Sequence, residues 1–346
     1  MRAAIMRDQR IVTDELPDPI PKEGQVLVKT LACGVCGSDL HYLQNAHRMG
    51  ELGAAMGRLP DADPNADLVM GHEFCAEIVE FGPCTERKLN VGDRVCSMPM
   101  LVHPGGIAPV GYSAQFPGGY GELMLLSEPM LLRVSDDLPT EAATLTEPMA
   151  VGLHAVRKGN LQSTDAPLVL GCGPVGLAVI AALRLQGVEP IVASDFSATR
   201  RELARTMGAD VVVNPAEEPA MERLVKEAGL KAAVVFECVG VPGMLQDVIL
   251  HAPHSTRFIV VGVCMEEDRI QPLLAISKEL AFQFVLGYTP EEFAETLRAL
   301  TEGSLDGKPM ISGRIGVDGV AGAFEALGQP DAHAKVLVEP WRNGLL

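Results

Sequence analysis

Residues 167–187 read "PLVLGCGPVGLAVIAALRLQG". An apolar run ends in Gly171, Gly173 and Gly176, which have G-x-G-x-x-G spacing, and a helix-period run opens behind them. Glycine-rich chains meet that spacing by chance, but a preceding strand and a following helix give it meaning. The glycines allow a tight turn and close approach of backbone to a pyrophosphate, whose charge faces the helix N-terminus. The next strand, "IVASD", ends in Asp195, where a carboxylate can accept both ribose hydroxyls and repel a 2′-phosphate. That favours NAD over NADP. Arg200 and Arg201 pull the other way, since a nearby Arg is how such sites accept NADP.

Outward from this stretch, short apolar strands alternate with helical segments. The strands are "APLVLGCG", "EPIVASD", "ADVVVN", "AAVVFECVG" and "RFIVVGV". Such alternation implies parallel βαβ units and an open doubly wound sheet. The helical reading begins near residue 140 with "TEAATLTEPMAVGLHAVRKG", and the alternation stops near residue 286. The first part of the chain is instead rich in strands and turns: "QVLVKTLACG", "EFCAEIVEFGP" and "VGDRVCSMP". Between them, residues 44–70 read as an irregular excursion. "HAKVLVEP" is a late strand that can rejoin the first part. The expected fold class is therefore α/β with two domains. A discontinuous β-rich domain takes residues 1–147 and 286–346, and a doubly wound domain takes 148–285.

Composition bounds the function. At 346 residues and 47 % hydrophobic, the chain can bury two cores. A net charge of −17 argues against a nucleic-acid surface, which needs clustered Lys and Arg. The opening "MRAAIMRDQRIVTDELPDP" lacks the apolar core of a signal peptide. The best membrane-span candidate, 167–185, is broken by glycines and proline and carries Arg184. Eight scattered cysteines do not resemble a secreted disulfide scaffold, so a reduced cytoplasmic protein is expected.

The stretch "TLACGVCGSDLHYL", residues 30–43, holds Cys33 and Cys36 followed by Ser38, Asp39 and His41. Spacing alone admits a redox pair, half of a zinc site, or packed cysteines in a turn. "VMGHEFCAEIVEFG" adds His72 and Glu73 before a strand. A thiolate, an imidazole and a carboxylate suit zinc, and three protein ligands leave a position for substrate.

The ordered segments "GVCGSDLH", "GHEF", "VGDRV", "GGYGELMLL", "TEPMAVGLHAV", "GCGPVG" and "KVLVEP" resemble the zinc-dependent medium-chain alcohol dehydrogenase family over nearly the whole chain. The resemblance implies a GroES-like catalytic domain, a Rossmann domain and an active site in the cleft between them. It implies Cys36 and His72 as catalytic zinc ligands, with Glu73 and Glu147 sharing the carboxylate role. Glu at position 147 resembles the polyol, butanediol and threonine dehydrogenase branch, because the classical members have Cys there. Ser38 matches the residue bonded to the substrate hydroxyl, and His41 the outer end of a proton relay. Asp39 matches a carboxylate beside the ligand loop. The plainer alternatives are that Ser38 and Asp39 satisfy turn backbone and that His41 is an exposed loop residue. Arg200 falls near the adenosine ribose, Gly262 and Val263 beside the nicotinamide, and Lys335 at a pyrophosphate-contacting base.

Two departures from the family pattern stand out. The region after "GDRV" holds only Cys96, so one catalytic zinc and no structural zinc is expected. The long interval from Cys36 to His72 resembles an expanded entrance loop, in which Met49, Leu52, Met56 and Leu59 can line an apolar approach. The implied activity is hydride transfer between a secondary alcohol, diol or polyol (or its ketone) and NAD. No nucleic-acid or membrane partner is expected, and the family's homodimers and homotetramers are both open. A zinc-free, NADPH-dependent quinone or enone reductase would not need Cys36, His72 and Glu147 together. A non-catalytic NAD-binding protein would not need the ligand and relay positions, and nothing else resembles a thiol redox unit.

Overall fold

A computed structural model describes residues 1–55, 66–229, 231–329 and 331–345. The chain divides into two compact units, Met1–Glu147 with Ile311–Leu346, and Pro148–Met310. The second junction lies at 310/311 rather than at residue 286. The reason is the helix Pro290–Glu302, which continues the second unit beyond its last strand, Ala281–Phe284. That helix is tied back into its own unit by Glu292, bonded to His154 Nδ1 at 2.7 Å, and by Glu295, bonded to Arg157 at 2.6 Å.

The first unit is β-rich. Its main sheet runs Ile311–Ile315, Lys335–Val338, Gln25–Gly34, Glu73–Phe81, Arg94–Ser97 and Leu131–Arg133, with Leu123–Ser127 also pairing Gln25–Gly34. Gln25–Gly34 organises the unit because its alternating, β-branched sequence is buried on both faces. Val26, Val28, Ile78, Val95, Met124 and Leu126 build the core around it. The late strand Lys335–Val338 pairs antiparallel with this early one, Leu337 opposite Gly34, so the chain's last segment does rejoin the first domain.

The segment read as irregular from residue 44 is helical through residue 55, within Gly37–Ala55. Leu, Met, Glu, Gln and Ala outweigh its glycines in helix propensity, and the break is confined to Asn45 (φ −132°, ψ 32°). The expected apolar approach by Met49, Leu52, Met56 and Leu59 lies outside the described residues and side chains.

The second unit is a six-stranded parallel sheet. Its order is Val211–Val213, Val192–Ser194, Asp165–Leu170, Ala232–Glu237, Arg257–Val260 and Ala281–Phe284. The order reverses between Asp165–Leu170 and Ala232–Glu237, which opens a crevice at the strands' carboxyl ends. Leu168, Val192, Val235 and Phe258 form the buried layer beneath it. Among the described residues no helix is long and apolar enough to cross a membrane.

Candidate metal centre and dinucleotide site

Strand register assembles the metal cluster. Gly34 stands opposite Glu73, so the turn that leaves one strand at Cys36 meets the turn that enters the other at His72. The ligand atoms of Cys36, His72 and Glu73 all lie within 4.8 Å of one another. His72 and Glu73 are buried, and Cys36 is half-buried. A thiol, an imidazole and a carboxylate at that spacing form a donor set suited to zinc. Gly34 is needed here, because a Cβ at that position would collide with Glu73 Oε2.

Lys335 is placed differently from the expectation. Its strand runs beside Gln25–Gly34, and its ammonium is fully buried, 2.8 and 2.7 Å from the two oxygens of Glu73 and 3.0 Å from Val35 O. The ammonium is thus engaged by the Glu73 carboxylate and the Val35 carbonyl within its own unit. Burial by itself would depress Lys335. The charge of Glu73, followed by Cys36 and Glu147, overrides it and holds the ammonium protonated above its ordinary range. Glu147 is half-buried in the first turn of the helix Thr146–Gly159, close enough for its charge to act on Lys335.

Asp39 is a fully buried carboxylate behind the cluster. Its Oδ2 accepts from the Tyr120 hydroxyl at 2.6 Å and from Cys36 N–H at 3.1 Å. Its Oδ1 accepts from the Tyr112 hydroxyl at 2.7 Å and lies 3.5 Å from His72 Nδ1. Burial pushes Asp39 up, but the His72 charge and these donors more than offset it, so the carboxyl lies below its ordinary range. Burial likewise acts to lower His72, and the Asp39 charge and Cys36 reverse it, leaving the imidazole well above its ordinary value. Asp39 therefore does more than satisfy a turn.

Ser38 Oγ lies 2.9 Å from the Tyr112 hydroxyl. His41 is exposed on the same helix, three residues on, and no described contact links it to the cluster. Cys33 is buried, with Sγ against Gly71 and Gly119. Burial and the charges of Asp39 and Glu73 push its thiol well up, which leaves it a packing residue.

The tyrosines were not picked out by sequence reading. The chain has four, and Tyr42, Tyr112 and Tyr120 all gather in this unit's core around Asp39 and His72. In an aromatic-poor chain that scarcity was the available signal.

In the second unit the glycine loop has the expected form. Gly171 takes a left-handed φ of +85°, Gly173 caps the helix Pro174–Leu185, and Gly176 packs on the Gly171 carbonyl so closely that a Cβ would strike it. Asp195 follows the strand Val192–Ser194, and its Oδ2 accepts from Cys172 N–H in the glycine loop at 2.8 Å. Its Oδ1 accepts from Ser197 N–H at 2.8 Å. Each oxygen keeps acceptor capacity for a ribose hydroxyl. Arg200 turns its guanidinium toward Gly173, and its buried Nε has no partner among the described residues. An unpartnered cationic donor over a glycine turn fits an anionic cofactor.

Arg201 is engaged elsewhere, donating to the carbonyls of Asp195 and Phe196 at 2.8 Å each. Gly262 N–H bonds Glu237 O at 2.8 Å, and Val263 is exposed beside it, both at the carboxyl ends of the central strands.

Residues 22–136 match the alcohol dehydrogenase GroES-like domain, and residues 174–302 match the zinc-binding dehydrogenases. The chain is 31 % identical to the (R,R)-butanediol dehydrogenase of Bacillus subtilis (strain 168), over 98 % of this chain and all of that one. It is 28 % identical to the sorbitol dehydrogenase of the same organism, over 99 % of this chain and 98 % of the other. The crystal structure of 2R,3R-butanediol dehydrogenase from Bacillus subtilis superposes with a TM-score of 0.83 at 29 % identity, covering 98 % of this chain and 99 % of the other. A zinc-binding dehydrogenase from Sinorhizobium meliloti 1021, solved bound to NADP, gives 0.82 at 26 % identity, covering 98 and 99 %.

Proposed function

The chain belongs to the zinc-type medium-chain alcohol dehydrogenases, and from that premise we propose that it oxidises a secondary alcohol, vicinal diol or polyol with NAD. The observation that carries the proposal is the Cys36, His72 and Glu73 cluster, whose ligand atoms lie within 4.8 Å of one another. Cys36 and His72 would hold one zinc ion per chain. Glu73 is the carboxylate of the cluster, and Glu147, within electrostatic reach of Lys335, supplies the second. When bound, zinc supplies a Lewis acid for the alcohol or carbonyl oxygen, and the nicotinamide accepts or returns the hydride.

The chain's own residues do the rest. Asp39 faces His72 Nδ1 and so fixes which ring nitrogen is left for the metal. Lys335 balances the charge of Glu73 in a cluster that also holds Asp39 and Cys36. Ser38 would accept the hydrogen bond of the substrate hydroxyl, and exposed His41, three residues along the helix, is the group from which the released proton would pass to water. Gly171, Gly173 and Gly176 cradle the pyrophosphate, with the Arg200 guanidinium beside it. Asp195 receives the ribose hydroxyls and disfavours a 2′-phosphate, which supports NAD over NADP. Gly262 and Val263 flank the nicotinamide.

Self-association as a homodimer or homotetramer is part of the same reading. It is supported by the outermost strand Ala281–Phe284, whose open edge lies near exposed Phe284 and Leu286. A cytoplasmic setting is supported by eight cysteines that are all free.

The test is a panel of secondary alcohols, diols and polyols with NAD and NADP, run on wild type, Cys36→Ala and Glu147→Ala. We expect NADH formation by the wild type and its loss in both variants. Absence of any alcohol oxidation would contradict the proposal, and a clear preference for NADP would contradict the role given to Asp195.

A further inference from the structure

Tyr112 belongs to none of the motifs above, yet its hydroxyl joins Ser38 to Asp39, at 2.9 and 2.7 Å. The protons in this chain of bonds can be counted. Asp39 accepts from Tyr120 O–H and Cys36 N–H on Oδ2 and from Tyr112 O–H on Oδ1, with His72 Nδ1 3.5 Å from Oδ1. A carboxylate ringed by donors acts only as an acceptor. A phenol carries one proton, and that of Tyr112 is directed to Asp39. The bond between Tyr112 and Ser38 must therefore be made with the hydrogen of Ser38. What Ser38 Oγ then presents on its remaining sides is lone pairs.

We propose that Tyr112 is a positioning residue that orients the Ser38 hydroxyl as the hydrogen-bond acceptor for the substrate's O–H. The inference rests on the role given to Ser38 above and deepens it. The serine meets an alcohol already turned to accept its hydrogen bond, with no rotamer to be found after binding. The chain has built the orienting group into the loop that follows the hairpin Met100–His103 and Gly106–Pro109. The ring of Tyr112 packs against His72 and Tyr42, with centroids 5.3 Å from each. A Phe at this position keeps that packing and removes only the hydroxyl.

The experiment is a double-mutant cycle on the zinc-loaded enzyme, with Tyr112→Phe, Ser38→Ala and both together, reading kcat/KM for alcohol oxidation. Cobalt replaces zinc in a parallel set, so that the visible spectrum reports on the metal's ligands independently of turnover. Tyr112→Phe is expected to lower kcat/KM about tenfold in the wild-type background, the effect of one hydrogen bond. In the Ser38→Ala background it should lower it less than about twofold, because the residue through which it acts is gone. The cobalt spectrum should be unchanged by Tyr112→Phe. Equal losses in the two backgrounds would overturn the inference, as would an altered spectrum, which would make Tyr112 a support for His72 instead. Full activity of Ser38→Ala would remove the role of Ser38 itself, a separate failure with its own signature.

Discussion

The two units bury carboxylates by different means. In the first, Glu73 is held by the Lys335 ammonium, and Asp39 by two phenols, a backbone N–H and the facing His72. Opposite charge and strong donors keep Asp39 ionised below its ordinary range. In the second, Glu237 is met, among the described residues, by the backbone N–H groups of Val239 and Gly240, at 2.6 and 2.9 Å. There desolvation wins and the carboxyl is raised above its ordinary value. The candidate metal cluster gathers mutually compensating charges, whereas Glu237 relies on backbone donors.

The contrast can be broken most severely at Lys335. Replacing it by Met leaves Glu73 buried and unpaired, so the metal-free protein should lose about 3–5 kcal/mol, seen as a lowered thermal unfolding transition. Adding Glu73→Gln should recover much of that loss. An unshifted transition in Lys335→Met would mean that the pair is not the support described here. Next in size is Asp39→Asn, which replaces one acceptor oxygen with a donor facing Tyr112, Tyr120 or Cys36 N–H. Zinc affinity, measured by competition with a chelator, should fall about 10–100-fold. Unchanged affinity would separate Asp39 from the metal site.

On the other side of the comparison, Gly176→Ala forces a methyl group onto the Gly171 carbonyl. It should cost about 1–3 kcal/mol, read as weaker dinucleotide binding in a fluorescence titration, with zinc content unaffected. The smallest effect is expected at Glu237→Gln, which keeps an acceptor for both backbone N–H groups. A carboxyl raised by folding binds more protons folded than unfolded, so it costs stability as pH rises above about 4.5. The variant should match wild type below that pH and gain on it above. A difference that does not change with pH would contradict the desolvation account.

Much of both candidate sites was legible in the sequence because local spacing carries their chemistry. Gly171, Gly173 and Gly176 sit in one turn, Cys36 and Ser38 in another, and His72 directly precedes Glu73. Asp195 could be found by counting from the glycines. Lys335 was legible as a functional cation but not as the partner of Glu73. That pairing depends on which strands of the sheet become neighbours, across 262 residues of sequence. Tyr112 was hidden for the same reason, since its hydroxyl meets Ser38 across 74 residues of sequence. The second domain junction was misplaced because the strand–helix alternation ends at "AFQF", and the helix Pro290–Glu302 that follows leads to no further strand of that sheet to announce that the unit continues. The helix after Cys36 was missed from residue 44 on because the glycines of that segment read as loop signals, although its remaining residues favour a helix.

The central claim is that Cys36, His72 and a carboxylate hold one zinc ion on which alcohol oxidation depends. Its most direct test is metal analysis of the purified chain alongside NADH formation, before chelation, after chelation and after zinc is returned. The account predicts one zinc per chain, loss of activity in step with its removal, and recovery on reconstitution, with Cys36→Ala neither holding zinc nor recovering. Full alcohol oxidation by protein free of metal would contradict it.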